Sequence, residues 1–206
     1  MSGEGQVGGI EASGLAARRG GRIVFADLSF SLAAGGALRI TGPNGVGKST
    51  LLRLCAGLLA PAAGTIAFDP PPGRPPLGYL AEAAALDGER PLAQALGFWA
   101  RMDGLSHPDA RVAAALADVA LADLATVPVR LLSTGQRRRA AFARVIAGGA
   151  FLWLLDEPTN GLDAAASARL EVLVERHLEA GGMAIVATHL PLRLPAMRTF
   201  AFGTPL

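Results

Sequence analysis

The feature that constrains this chain most is a glycine-rich segment, Gly42-Pro43-Asn44-Gly45-Val46-Gly47-Lys48-Ser49. It fits the pattern G-x-x-x-x-G-K-[ST], which binds phosphate when it joins a buried strand to a helix. Residues 37–40 have the apolar character of such a strand, and residues 49–59 have helical periodicity. The segment therefore predicts an α/β fold with a site for nucleotide phosphates.

The chemistry of the segment explains its residue types. Its glycines let backbone N–H groups turn inward around phosphate oxygens, and the following helix adds partial positive charge. The hydroxyl of Ser49 can bind Mg²⁺, and the next residue, Thr50, is also expected at the nucleotide site. Lys48 is the only lysine among 19 Lys and Arg residues, in a chain rich in Ala, Gly, Pro and Arg. A planar guanidinium does not replace a compact ammonium between two phosphates. Lysine at this one position therefore favours a phosphate-binding loop over a chance match to the pattern.

Two carboxylates, Asp156 and Glu157, follow the continuous apolar run of residues 151–155. Such a run is typical of a central parallel strand, and ligands of open α/β sheets bind at the carboxyl ends of those strands. Asp156 can hold Mg²⁺ directly or through water, and Glu157 can accept a proton from an attacking water or orient it. The alternative for acidic residues here is capping of the next helix, which is the role expected for Asp163.

Strand-like and helical segments alternate along the chain. Short β-type runs lie at residues 23–25, 28–32, 64–68 and 183–188, and helical patterns at residues 91–127, 136–147 and 164–178. The pattern at 91–127 breaks near residues 104–108. The alternation predicts one domain over residues 1–206, with a helical subdomain at about 84–147 inserted in the α/β core.

Composition excludes several classes of protein. Mean hydropathy is +0.37, but no stretch reaches the roughly 18 consecutive apolar residues of a membrane span, and the N-terminus lacks a signal-peptide pattern. Net charge is only +2, and the one dense basic run, Arg137 to Arg139, is short enough to be a solvated helix face. The single cysteine, Cys55, excludes an internal disulfide and is expected in the core.

Four motifs in chain order resemble those of the ATP-binding cassette (ABC) ATPases. After the phosphate loop, LSTGQ at 132–136 resembles the signature LSGGQ, and LLDEPTNGLD at 154–163 resembles the second nucleotide motif with its D-loop. His189 resembles the switch histidine. The resemblance implies a P-loop fold with a parallel-sheet core, an N-terminal antiparallel β part and a helical subdomain. It also implies transport-coupled hydrolysis of ATP with Mg²⁺.

The resemblance further implies a homodimer around two ATP molecules. Ser133, Gly135 and Gln136 of one copy would face the γ-phosphate held by the other. His189 would contact the γ-phosphate. The helical insert would contact integral membrane subunits on separate chains, at the cytoplasmic face of a bacterial inner membrane. No nucleic-acid partner is expected. The remaining histidines, His107 and His177, match no motif and are expected at the surface.

Three positions depart from the family pattern. Thr134 replaces the second glycine of the signature, where a small side chain can fit. The aromatic residue that stacks on adenine aligns with Arg19, although Arg18 is an equal candidate and a solvated loop is the plainer alternative. The Mg²⁺-binding loop glutamine is replaced by Glu82, or by Ala83 if the register shifts by one. Glu82 can bind Mg²⁺, but its charge bears on hydrolysis and coupling.

Within the family, the chain resembles the ATP-binding subunits of haem exporters of cytochrome c maturation. The grounds are its length, the run at residues 26–53, the small third residue of the signature, and Leu152-Trp153 ahead of the acidic pair. Haem export is therefore the expected function. Two alternatives stay open: an ATP-driven binding switch with little turnover, and an ABC ATPase of another transporter or of nucleic acid or ribosomes.

Overall fold

The computed structural model describes residues 8–82, 85–194 and 197–202. Residues 1–7, which bear on the signal-peptide expectation, Ala83 and the subdomain boundary at residue 84 lie outside that range. The strands are β1 (Gly9–Arg19), β2 (Arg22–Ala33), β3 (Ala37–Thr41), β4 (Ala63–Asp69), β5 (Leu77–Leu80), β6 (Leu152–Asp156), β7 (Met183–Ala187) and β8 (Arg198–Ala201). The helices are α1 (Lys48–Cys55), α2 (Leu92–Met102), α3 (Pro108–Asp118), α4 (Thr134–Gly148) and α5 (Ala164–Glu179).

The larger sheet is parallel, with the strand order β5-β6-β7-β3-β8. Strands β6 and β7 are buried on both faces, as their continuous apolar runs predict. Alternate side chains enter different cores, so that Trp153 and Leu155 pack toward α2–α5, and Leu152 and Leu154 toward α1 and β1. Because the strands run parallel, the carboxyl ends of β3, β5, β6 and β7 lie at one edge.

The smaller sheet is the predicted N-terminal antiparallel part, in the order β2-β1-β4. Gly20 and Gly21 connect β1 to β2, and both have positive φ (55° and 78°), as a tight hairpin turn requires. The two predicted runs at 23–25 and 28–32 are parts of one strand. Strand β1 has no counterpart among the predicted strands, because its many Ala, Gly and Ser residues carry little β propensity.

Helices α2, α3 and α4 pack on one another and share a core with the parallel sheet. Helix α1 ends at Cys55 rather than at residue 59, and Gly57 adopts the positive φ (68°) common just beyond a helix end. Helix α5 begins after Asp163, whose Oδ1 accepts a hydrogen bond from the Ala166 amide at 2.7 Å, as predicted. Within the described ranges, no helix has both the length and the apolar character needed to cross a bilayer.

The expectation for His177 is wrong, because this side chain is buried. Its ring stacks on Trp153 with centroids 3.9 Å apart, and its Nε2 donates to the Met183 carbonyl at 3.1 Å. Burial lowers the pKa of His177 to about 4, and the charge of Arg74 acts in the same direction. The position lies four residues after buried Leu173, so the helical phase places it in the core.

The expected burial of Cys55 and the expected exposure of His107 are both confirmed. Cys55 is buried in the core shared by α1 and the sheet, and burial raises the pKa of its thiol to about 12. His107 is exposed where it precedes α3. The cysteine therefore acts as a small apolar side chain.

Candidate functional site

The parallel strands deliver most of the predicted site residues to one cavity. The loop after β3, the acidic pair at the end of β6, the residues after β7 and Glu82 after β5 all open onto this cavity of about 400 Å³. It is lined by Arg19, Asn44, Gly45, Gly47, Lys48, Ser49, Thr50, Glu82, Asp156, Glu157, Asn160 and His189. The site lies where ligands of open parallel sheets bind, outside the carboxyl ends of the strands.

The phosphate-loop segment wraps around the ammonium group of Lys48. The Lys48 side chain is buried, and its Nζ donates to the carbonyls of Gly42 at 2.9 Å and Pro43 at 3.3 Å. Gly47, just before α1, has φ 118°, and a Cβ there would lie 2.7 Å from Val24 Cγ1. Backbone conformation and space therefore both require glycine at this position.

Three predicted loop residues, Gly42, Pro43 and Val46, are not among those that line the cavity. Gly42 and Pro43 act through their carbonyls, which accept from Lys48. The Val46 amide donates to the Pro43 carbonyl at 3.4 Å and closes a turn within the loop. These three residues support the conformation of the loop, whereas Asn44 and Gly45 line the cavity.

Asp156 lies buried at the end of β6, and its side chain and that of Ser49 line the same cavity. Burial raises the pKa of Asp156; hydrogen bonding to Ser49 opposes that rise, and the charges of Glu157 and Glu82 add to it. A hydroxyl and a carboxylate that line one cavity supply the hard oxygen ligands that Mg²⁺ prefers. Ser49 and Asp156 therefore fit the predicted metal role, and Glu82 lies in the same cavity.

The carboxylate of Glu157 lies between two basic groups. Its Oε1 is 3.8 Å from Lys48 Nζ, and its Oε2 is 2.9 Å from Nδ1 of His189, whose backbone amide also donates to Oε2 at 3.4 Å. The Glu157 side chain is 16% exposed and that of His189 is 50% exposed. The carboxylate is thus open to a water molecule while its orientation is set by neighbours, as a general base requires.

The two arginines before the β1–β2 turn differ in surroundings. Arg19 lines the cavity beside the phosphate-loop residues. Arg18 instead donates from Nη2 to the Gly21 carbonyl at 3.3 Å. The geometry thus favours Arg19 over Arg18 for the predicted stacking on adenine.

The signature residues are not brought to the cavity. Ser133 is exposed at the start of α4, where its Oγ accepts from the Gln136 amide at 3.2 Å and Gln136 Oε1 accepts from the Ser133 amide at 2.8 Å. This is a capping box. A Cβ on Gly135 would lie 2.9 Å from the Gly161 carbonyl, which explains the glycine. Thr134 is exposed, so the side chain that replaces the usual glycine has space.

One residue near the site, Arg138, was not singled out by its sequence pattern. The expected solvated face holds for exposed Arg137, but Arg138 is buried and Arg139 is half-buried. Arg138 donates to the carbonyls of Ala81, Glu82, Asp156 and Glu157. The usable signal was helical phase, since buried Phe142 lies four residues further along the same face.

A family model described as ABC transporter matches residues 25–160 of the chain. This match includes the signature as well as the phosphate loop and the acidic pair, whose residues line the cavity.

Two curated relatives carry the name cytochrome c biogenesis ATP-binding export protein CcmA. The one from Sphingopyxis alaskensis is 50% identical over 194 residues, covering 94% of this chain and 96% of the relative. The one from Novosphingobium aromaticivorans is 48% identical over 193 residues, covering 94% and 95%. A solved structure of an ATP-binding subunit of an ABC transporter is 25% identical with a TM-score of 0.79, covering 88% of this chain and 79% of that one.

Proposed function

Because this chain belongs to the ABC transporter family, we propose that it is the ATP-hydrolysing subunit of an exporter that serves cytochrome c biogenesis. The predicted ABC ATPase fold and activity class are confirmed by the family match and the relatives. The relatives' names specify export and cytochrome c biogenesis, which favours transport over action on nucleic acid or ribosomes. Haem is the proposed cargo, from the resemblance to haem exporters.

The observation that carries the ATPase proposal is the meeting of a buried lysine, a hydroxyl–carboxylate pair and a second carboxylate in one cavity. Lys48 supplies a compact positive charge for the β- and γ-phosphates. Glu157 orients a water molecule or takes its proton, and its hydrogen bond from His189 holds the carboxylate in place. Arg19 offers a guanidinium plane to the adenine.

ATP is the proposed substrate and Mg²⁺ the proposed metal. Ser49 and Asp156 would hold the ion, with Glu82 as a third oxygen donor in the same cavity. Bound there, Mg²⁺ would neutralise charge on the phosphate oxygens during transfer. The cavity holds three carboxylates against the ammonium of Lys48 and the guanidinium of Arg19, so positive charge from a divalent ion complements its lining.

The second half of the proposed site comes from another copy of the chain. Ser133, Gly135 and Gln136 lie at the exposed start of α4 and outside the cavity that contains Lys48. In the capping box the Ser133 hydroxyl acts as an acceptor, so its proton is left to donate to a phosphate oxygen. The amino end of α4 adds a favourable partial charge. We therefore propose a head-to-tail homodimer around two ATP molecules.

The chain functions with a membrane partner within an ABC transporter. We propose that this partner consists of separate integral membrane subunits and that the chain lies at the cytoplasmic face of a bacterial inner membrane. The helical region of α2–α4 is the proposed contact, since ATP closure of the dimer would then move the membrane subunits.

The test is the effect of Glu157→Gln on the purified membrane complex. The substitution keeps the shape but removes the base, so ATP hydrolysis is expected to fall at least about 100-fold. ATP-dependent dimerisation of the full chain, measured by light scattering, should persist. The control is Glu179→Gln at the exposed end of α5, which should leave turnover unchanged. Unchanged turnover in Glu157→Gln would exclude Glu157 as the base.

Glu82 favours one second candidate, an ATP-driven switch with little turnover. Its charge acts on Asp156 and adds to the negative charge of the cavity, which opposes hydrolysis more than binding. This candidate predicts ATP-dependent dimerisation with negligible phosphate release by the purified complex. Robust release of phosphate would eliminate it.

A further inference from the structure

We propose that Arg138 is a positioning residue for ATP hydrolysis, which holds Glu157 and Glu82 in place through their backbone carbonyls. The inference rests on the proposed function, because it assigns Glu157 the role of base. Within the part of the chain that the structure describes, every hydrogen bond of Arg138 goes to a backbone carbonyl and none to the phosphate loop or to a carboxylate. Its effect would therefore be transmitted through the peptide backbone of the site.

The contacts of Arg138 join three elements. From α4, its Nη1 donates to the Ala81 carbonyl at 2.7 Å and to the Glu82 carbonyl at 3.1 Å, just after β5. Its Nη2 donates to the Glu157 carbonyl at 2.8 Å and also to the Asp156 carbonyl, at the end of β6. The side chain is only 8% exposed. A charged planar fork in a buried setting gives stronger and more directional hydrogen bonds than a neutral donor.

The backbone of Glu157 shows why such a support matters. Its φ is 46°, in the left-handed region that non-glycine residues rarely adopt. Such a conformation persists where surrounding contacts fix it. The Glu157 amide donates to the Ala187 carbonyl at 2.7 Å, and the Glu157 carbonyl accepts from both Asn160 N at 3.1 Å and Arg138. The direction of the carboxylate toward His189 follows from this backbone.

The same contacts link the signature to the base. Arg138 lies on the helix that Ser133 caps, five positions along the chain from it. A shift of α4 on closing around ATP would move the guanidinium and, with it, the carbonyls of Glu82 and Glu157. Arg138 thus gives the structure a direct connection between the exposed start of α4 and the catalytic geometry.

The test compares Arg138→Met with a matched control, Arg139→Met, in the purified membrane complex. Arg139 lies on the same helix and also donates to two backbone carbonyls, those of Val119 and Ala120, both at 3.0 Å and away from the cavity. For Arg138→Met, kcat should fall about tenfold or more while KM for Mg-ATP stays within about threefold. Arg138→Lys should recover part of the loss. Arg139→Met should keep the native kcat.

Two results would overturn the inference: a kcat of Arg138→Met within about twofold of native, or an equal fall in Arg139→Met. A double variant separates positioning from general damage. If Arg138 acts through Glu157, adding Arg138→Met to Glu157→Gln should cause no further loss of residual turnover. A full additional tenfold loss would contradict this.

A readout independent of activity separates this inference from the proposed function. Loss of Arg138 should loosen the Glu157 backbone, so hydrogen exchange at the Asn160 amide of the full chain should become at least about fivefold faster than in Arg139→Met. Equal exchange in the two variants would overturn the inference even if ATP hydrolysis were normal. A native complex that hydrolyses no ATP would instead reject the ATPase proposal.

Discussion

In the cavity at the sheet edge, the Glu157 carboxylate lies 3.8 Å from Lys48 Nζ and 2.9 Å from His189 Nδ1. At the start of α4, by contrast, Ser133 and Gln136 cap their own helix. Both regions carry groups suited to phosphate. The first is assembled within one chain by neighbouring parallel strands, and the second faces outward. We infer that one copy carries two unlike halves of a site, which meet only between copies.

The two regions also differ in charge. The cavity combines the carboxylates of Glu82, Asp156 and Glu157 with the ammonium of Lys48 and the guanidinium of Arg19. The start of α4 offers the positive end of a helix dipole and exposed Arg137. The carboxylates of the cavity outnumber its cations, whereas phosphate binding needs positive charge. Positive charge at the start of α4 would therefore complement the cavity in binding phosphate.

The largest expected effect comes from Lys48→Arg in the cavity half. The substitution keeps the charge, but the planar guanidinium does not fit the loop carbonyls of Gly42 and Pro43, so turnover should fall about 100-fold. Phosphate release by the purified complex measures it. The control is the opposite change on the same helix at exposed Arg53, Arg53→Lys, which should have no effect. Near-native turnover in Lys48→Arg would show that any cation suffices.

The next effect tests whether the halves meet between copies. Ser133→Asp keeps a good helix cap but places a carboxylate where phosphate is expected, and Lys48→Ala removes the ammonium. Each proposed site combines the Lys48 cavity of one copy with the Ser133 region of the other. When one copy carries Lys48→Ala and the other carries Ser133→Asp, both changes fall in the same site and the second site stays intact. When one copy carries both changes, each of the two sites contains one changed half. Purified mixed dimers should then retain about one ATP in the first case and about tenfold less in the second. Equal retention of ATP by the two kinds of mixed dimer would show that the two halves do not meet between copies.

A smaller effect is expected from Glu82→Gln. The glutamine amide still offers an oxygen to Mg²⁺, while removing the charge lowers the pKa of Asp156 and reduces repulsion of the phosphates. Turnover should therefore rise about threefold at saturating Mg²⁺. The matched control is Glu89→Gln, whose side chain is 80% exposed in a surface pair with Arg130. A marked loss would instead identify the Glu82 carboxylate as a required Mg²⁺ ligand.

The smallest effect on turnover is expected at His177, outside both halves, where the change should appear in stability. The folded pKa of about 4 lies below the ordinary 6.5, so the unfolded chain binds more protons between these values. Stability is therefore lost as pH falls below about 6.5, by about 2 kcal/mol at pH 5. In His177→Phe, the free energy of unfolding measured with urea should not show this loss between pH 7 and pH 5. His107→Asn, at an exposed position, should keep it.

Several predictions from the sequence agree with the fold because their signals are local. The phosphate-loop pattern lies between a strand and a helix, and the apolar run before Asp156 forms a fully buried parallel strand. Asp163 caps α5 as its position predicts. Strand β1 was not predicted, because it is stabilised by pairing with β2 and β4 rather than by its own residues.

The roles assigned to the site residues remain predictions, but their arrangement can be compared with the pattern. Lys48, Ser49, Asp156, Glu157 and His189 meet, as expected of groups that follow neighbouring parallel strands. The pattern did not distinguish Arg19 from Arg18, because the choice depends on how β1 ends. It also did not separate Arg138 from its two neighbours, because three equal side chains in a row carry no phase of their own, and only Phe142, four residues further on, indicates which of them is buried.

The sequence by itself determined the family and the alternation of strands and helices, since each rests on residue types at short spacing. Only the tertiary structure decided that His177 is a core residue, that Arg138 donates to four backbone carbonyls and that the signature residues do not line the cavity of Lys48. Those features depend on which distant segments pack together. That packing depends on apolar contacts formed across the whole chain, so it cannot be predicted from a short sequence pattern.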